Sequence, residues 1–280
     1  MNGKMTANIQ RLIDVMAKLR DPKCGCPWDL EQTFASIAPY TLEETYELIE
    51  AIENKNTAAI REELGDVFFQ VVFHAQMAYE AGLFDLDSVA CAVADKMIER
   101  HPHVFGLREA PTANAVSANW EADKEAKRKA RAAKEGREAS LLDGVSVALP
   151  AATRAVKLQS RASRAKFDWT DLQDVFAKIR EEISELEVEV TAKSEKAFLE
   201  DEMGDVLFAV VNLARKLDID PETALRRTNA KFERRFRGIE QRLSAEGRKL
   251  SGTSLEEMER IWTEIKHAEK ASAGSERSEV

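Results

Sequence analysis

The chain is short of cysteine, proline and glycine, and its 41 bases are outnumbered by 50 acids. Three cysteines, Cys24, Cys26 and Cys91, in 280 residues are too few for a disulfide framework. Cys24-Gly25-Cys26 lacks the two-residue spacer and the second ligand pair of a zinc site, so all three are expected to be reduced thiols in a cytoplasmic protein. Seven prolines and twelve glycines are few for an all-β or βαβ chain with many tight turns. No run of 18 apolar residues occurs, which excludes a transmembrane helix. Ile9, Leu12, Ile13, Met16 and Leu19 fall on one helix face and do not read as a signal peptide. The net charge of −9 argues against a generic nucleic-acid binder, whose affinity comes mostly from phosphate neutralisation. A phosphate-bearing substrate handled through a metal ion stays compatible with it.

What the chain has is helix-forming sequence, rich in Ala, Glu, Lys, Leu and Arg. Periodicity predicts helices at about 7–20, 40–54, 57–82, 86–100, 116–136, 145–164, 171–192, 195–217, 221–246 and 254–270, and no strand. Thr41 followed by Glu44 has the pattern of a capping box. Asp220-Pro221 reads as a helix start, and Gly82 and Gly247 as helix ends. The charged stretch Lys124–Arg131 lacks interleaved aromatics and reads as a solvated helix. The expected division is an N-terminal unit over 1–137, a linker at 138–144, a C-terminal unit over 145–271 and an unstructured tail over 272–280.

The chain repeats itself. Glu43-Glu44-Thr45-Tyr46-Glu47 precedes Glu63-Leu64-Gly65-Asp66, and Glu181-Glu182-Ile183-Ser184-Glu185 precedes Glu202-Met203-Gly204-Asp205. Glu44 to Glu63 is 19 residues and Glu182 to Glu202 is 20. Each second motif runs into an apolar helix. A tryptophan, Trp28 or Trp169, stands before each acidic motif, and Trp120 with Lys124 echoes Trp262 with Lys266. The fold class is therefore all-α: a tandem repeat of two helical units, each with four-helix-bundle-type packing.

Within a unit the acids come in i,i+3 pairs, neighbours on one helix face. Glu182 and Glu185 flank the line of Val175, Ile179 and Leu186; Glu202 and Asp205 flank that of Ala209 and Leu213. If these two helices pack as an antiparallel hairpin, the pairs face each other, and four ionised carboxylates that close repel unless a cation lies between them. Oxygen ligands without histidine favour Mg²⁺ or Mn²⁺ over zinc. A di-iron bundle needs Glu-x-x-His on two helices, and only Glu264-Ile265-Lys266-His267 matches. Gly65 and Gly204 in the same register suggest a close approach to the helix backbone. His101 and His103 read as packing or capping groups, and His74 as a core or interface histidine. Charge is segregated: Lys178–Asp205 carries ten acids against four bases, whereas Arg226–Arg237 carries six bases against one acid. An acidic hairpin beside a basic helix suits a metal and a polyphosphate held together.

These residues resemble the MazG family of nucleoside triphosphate pyrophosphohydrolases, within the all-α NTP pyrophosphatase superfamily, whose signature Glu-Glu-x-x-Glu then Glu-x-x-Asp is present twice. Cys26-Pro27-Trp28-Asp29, Ile37–Glu47, His101–Phe105 and Lys231–Phe236 resemble it too, so the likeness runs from about Ile9 to His267. The resemblance implies hydrolysis of a nucleoside triphosphate to monophosphate and pyrophosphate, Mg²⁺ dependence and a helical homodimer. Glu182, Glu185, Glu202 and Asp205 would be catalytic metal ligands, with Glu44, Glu47, Glu63 and Asp66 the matching first-repeat set. Lys178, Asp201, Lys231, Arg234, Arg235, Trp262 and Lys266 would bind substrate, and Glu181 would orient or deprotonate water. The first repeat departs on its basic side, where Asp95–Arg108 counts three bases against two acids. Turnover is therefore expected mainly from the second repeat, and the apolar stretch Val67–Met77 is expected to form the dimer surface. A non-catalytic nucleotide sensor or scaffold is the alternative; acids retained in both repeats argue against it.

Overall fold

The computed structural model describes residues 2–106 and 112–276, with side chains for 7–106, 112 and 123–271. Among these residues there are twelve α-helices, one 3-10 turn and no strand. Contacts divide the chain into two compact units, Met1–Lys124 and Glu125–Val280, so the division falls inside the charged helix and upstream of 138–144.

The first unit holds α1 (Asn2–Leu19), α2 (Pro27–Glu31), α3 (Phe34–Glu53), α4 (Thr57–Glu80), α5 (Leu86–Arg100), α6 (Pro102–Phe105) and the start of α7 (Ala113–Lys134). Helices α3 and α4 pack along their length, and α1 and α5 lie against α4. Met16, Ile37, Val72, Phe73 and Met77 form the core; burying side chains of this size contributes about 1.5–3 kcal/mol each.

The second unit holds the rest of α7, then α8 (Ala151–Arg164), α9 (Leu172–Ala192), α10 (Lys196–Lys216), α11 (Pro221–Ala245) and α12 (Leu255–Glu276). Here α9 and α10 are the packed hairpin, with α8 against α10 and α12 against α11. Ile239, Leu243 and Ile261 centre a core with Trp262 and Ile265 around it. A Cβ on Gly238 would lie 2.8 Å from Ile265 Cδ1, so that glycine lets α12 come close to α11. Both hairpins turn through three residues, and each turn holds one lysine at positive φ, Lys55 at 53° and Lys193 at 55°.

Several expectations need correction. Thr41 does not begin a helix. Helix α3 starts at Phe34, capped by Thr33, whose side chain accepts from the Ser36 amide while the Ser36 hydroxyl accepts from the Thr33 amide. The Thr41–Glu44 pattern suggested a later start, but buried Ile37 holds the first turns in the core, with Pro39 accommodated inside the helix. Thr41 Oγ1 instead donates to the Ile37 carbonyl at 3.3 Å. Helix α8 begins at Ala151, not 145, because Pro150 sits at its N-cap and Val147 projects into solvent. The short helices α2 and α6 are too brief to show periodicity. Helix α12 runs to Glu276 where a tail was expected from 272; residues 277–280 lie outside the described residues. Gly65 and Gly204 face open space, with no atom within 4 Å of an added Cβ, so the expected close approach is not made by this chain. Asp220-Pro221 does start α11, with Asp220 accepting from the Thr223 amide at 2.7 Å. Gly82 and Gly247 adopt positive φ beyond α4 and α11, which costs glycine no steric penalty.

Candidate active site

Three acids converge in each hairpin. Carboxylate oxygens of Glu182, Glu185 and Glu202 lie within 4.8 Å of one another, as do those of Glu44, Glu47 and Glu63. In each case two acids come from one helical turn of the first hairpin helix and one from the second turn of its partner. Asp205 and Asp66 stand one turn further along α10 and α4, outside these trios.

The trios are strained electrostatically. Burial raises the pKa of Glu44, and Asp66, Glu47, Glu63 and Glu43 raise it further. Glu63 is raised by burial and then by Glu47 and Asp66. Glu185 is raised by burial and by Glu182, with Lys178 partly opposing. Mutual repulsion among hard oxygen donors is relieved by a divalent cation that prefers oxygen ligands. The donor set therefore fits Mg²⁺ or Mn²⁺.

The units differ in what surrounds the trio. Lys178 Nζ donates to Glu182 Oε1 at 2.8 Å and to Glu181 Oε1 at 2.9 Å, and those bonds raise the Lys178 pKa. The first-unit counterpart of Lys178, four residues before Glu44, is Tyr40, which packs edge-on to Trp28. Ten residues after Glu202 the second unit has Asn212, and ten after Glu63 the first has Phe73, which is 1% exposed in its core.

In the second unit a cleft of about 300 Å³ opens beside the trio. Lys178, Glu182 and Asp205 form its acidic end, and Phe167, Trp169 and Phe208 supply aromatic wall. Gln159, Asp168, Asn212 and Arg215 add polar groups to a largely apolar lining. Asp168 is clamped by Arg215 at 2.8 Å and Lys216 at 3.0 Å. Burial raises its pKa, but those two cations outweigh that and hold it below the usual carboxylate range. Lys216 also donates to the Trp169 carbonyl, which ties the aromatic loop to α10.

The structure thus brings Lys178, Glu181, Glu182, Glu185, Glu202 and Asp205 together midway along the hairpin. Asp201 is exposed on α10. Lys231, Arg234, Arg235, Trp262 and Lys266 lie on α11 and α12 and are not among the cleft residues. Arg234 and Arg235 share Glu269, at 2.7 and 2.8 Å, and Arg235 stacks over Trp262. Trp120 lies outside the described side chains. His101 Nδ1 lies 2.7 Å from the Met97 carbonyl and so caps α5; His74 stacks on Phe34 and meets Thr41 Oγ1 at 3.0 Å, inside the first unit. Sequence reasoning marked Trp169 only as part of the repeat, and missed Gln159, Asp168, Asn212 and Arg215 as cleft residues. For Gln159, Asn212 and Arg215 the one signal was polarity within an apolar helix stripe; Asp168, between α8 and α9, carried none.

The family pattern described as the MazG nucleotide pyrophosphohydrolase domain matches residues 32–105 and 171–238, once over each hairpin. The chain belongs to the MazG family. It is 49% identical over 262 residues to the nucleoside triphosphate pyrophosphohydrolase of Escherichia coli K12, covering 93% of this chain and 98% of that protein. It is 42% identical over 267 residues to the nucleoside triphosphate pyrophosphohydrolase/pyrophosphatase MazG of Thermotoga maritima, covering 95% and 96%. The nucleoside triphosphate pyrophosphohydrolase of Mycolicibacterium smegmatis is 39% identical over 158 residues, 56% of this chain and 47% of that protein.

Proposed function

We propose that this MazG protein hydrolyses nucleoside triphosphates to monophosphate and pyrophosphate, and that the second unit does most of the work. The observation that carries this reading is the continuity of the acid trio with a cleft: Glu182 belongs to both, and its partner Lys178 and Asp205, one turn beyond Glu202, also line the cleft. A triphosphate would lie at the acidic end, and its nucleoside would enter between Phe167, Trp169 and Phe208. Aromatic rings stack on any base, which supports broad base specificity and a role in nucleotide pool control or clean-up.

Glu182, Glu185, Glu202 and Asp205 would hold Mg²⁺ or Mn²⁺, which when bound would offset phosphate charge and lower the pKa of water. Water attacks the α-phosphorus as the α–β bridging bond breaks, and pyrophosphate departs. Lys178 holds Glu182 in place and keeps a positive charge at the mouth of the trio. Glu181 is the candidate to orient or deprotonate the water, although its own bond to Lys178 must then be shared. Lys231, Arg234 and Arg235 are the candidate phosphate clamp; the last two would exchange Glu269 for phosphate. We further place the protein in the cytoplasm, in keeping with its three unpaired cysteines, and read it as a homodimer.

Pyrophosphate release, measured with Mg²⁺ and with a chelator, tests this reading. Glu202→Gln and Asp205→Asn should abolish turnover while leaving the helical circular dichroism unchanged. A wild-type rate in either variant at low Mg²⁺ would remove that residue from the ligand set. Nucleotide binding with no release by the wild type would favour the sensor reading.

A further inference from the structure

One buried polar group in the cleft lacks a partner. Gln159 on α8 is 8% exposed, and its Nε2 donates to the Phe208 carbonyl at 2.8 Å. A carbonyl only accepts, so this bond fixes which end of the carboxamide is oxygen. That oxygen, Oε1, is buried with no hydrogen-bond donor. Buried acceptors are nearly always satisfied, and an exception asks for a ligand or another explanation.

One helical turn beyond Phe208 is Asn212, 3% exposed and also on the cleft. Its Oδ1 accepts from Arg215 Nε at 3.0 Å and Nη2 at 2.7 Å. The same logic leaves Asn212 Nδ2 as a donor. The lining of the cleft therefore holds one buried acceptor without a donor and one amide donor, beside aromatic walls and next to the acid trio.

We propose that Gln159 determines base recognition: its Oε1 accepts an N–H from the nucleobase edge, with Asn212 Nδ2 donating to the adjacent base acceptor. This rests on the nucleoside triphosphate reading above and deepens it. The exocyclic amine of adenine or cytosine meets Gln159, as does the ring N–H of guanine, uracil or thymine. Breadth across ordinary bases and rejection of bases lacking an N–H then follow from one contact. A site built around a hydrogen-bond partner discriminates strongly against an analogue without it, because its own polar group is then left unpaired.

The test compares two substrate pairs, ATP with purine riboside triphosphate and UTP with 3-methyluridine triphosphate, in wild type, Gln159→Leu and Gln159→Met. The wild type should prefer the N–H-bearing member of each pair by about tenfold or more in kcat/KM, expressed mainly in KM. Both variants should bring the ratio close to one by weakening only the N–H-bearing member. Calorimetric binding of the α,β-methylene analogue of ATP should weaken in parallel, which reads recognition without turnover. A wild type that does not discriminate, variants that keep the ratio, or variants that lose both members equally would each overturn the assignment. If the wild type binds the analogue but hydrolyses no nucleotide, the catalytic reading fails while the binding comparison still decides Gln159. A melting curve for each variant identifies misfolding, and the better-folded of the two supplies the comparison.

Discussion

Lys178 Nζ sits 2.8 Å from Glu182 Oε1, one helical turn along α9, and Glu182 is the most buried acid of its trio. The lysine offsets part of the repulsion there and faces the cleft, so two effects of removing it oppose each other. Lys178→Ala should leave a more negative site with tighter apparent Mg²⁺ binding. It should also remove a charge-assisted contact of about 1.5–3 kcal/mol, lowering kcat/KM about 10- to 100-fold. Titrating the rate with Mg²⁺ separates the two. Weaker Mg²⁺ binding in the variant would mean that Lys178 serves chiefly to position Glu182.

The two units should not contribute equally. Both have a trio, but Phe73 occupies as core the position that Asn212 occupies as cleft wall, and Tyr40 stands where Lys178 does. Glu182→Ala/Glu185→Ala should cost orders of magnitude in turnover, and Glu44→Ala/Glu47→Ala little. The same nucleotide should be used for both. Equal losses, or a larger loss in the first unit, would sink the asymmetry.

Acid should loosen the cleft through Asp168. Its pKa is depressed in the fold, so its contribution is present above the unfolded value of about 3.9 and is lost as pH falls through the lower folded value. Asp168→Asn should reduce stability by about 1–3 kcal/mol at neutral pH, the lower end for breaking a buried pair because the clamp's edge meets solvent. The variant should also lack this share of the acid loss. Thermal melts of both proteins between pH 7 and pH 3 check the sign; parallel curves would show that the clamp contributes nothing.

Apolar side chains repeat on the outer faces of the hairpins. Leu64, Phe68 and Val71 on α4, and Met203, Leu207 and Val210 on α10, stay exposed at matching positions. The expected stretch Val67–Met77 is therefore divided: Val72, Phe73, Ala75 and Met77 are buried within the unit, and its outer row is left for another surface. Light scattering at micromolar concentration should give a dimer, and Phe68→Glu/Val71→Glu should shift it toward monomer. A monomeric wild type would refute this.

Much of the fold was legible because amphipathic periodicity and duplicated acids are local signals. Glu44, Glu47 and Glu63 could be placed together from spacing alone, since a hairpin needs only helix phase and a short turn. Gln159 and Asn212 could not, because their roles depend on α8 meeting α10 and on which amide end each neighbour takes. The start of α3 was misplaced for a similar reason: the Thr41–Glu44 pattern is local, whereas the helix begins earlier because Ile37 is buried in the core and Thr33 forms the cap.

The three-residue turns that close both hairpins also bear on how such a protein comes to exist. Each acid trio needs only contacts about 20 residues apart or less, which cost little loop-closure entropy. The cleft instead needs a third helix docked across a longer stretch of chain. A duplicated unit can therefore keep its acids while the third helix repacks freely. The first unit, with Phe73 sealed beneath α1, and the second, with Asn212 in a cleft wall beside α8, are two outcomes of that freedom.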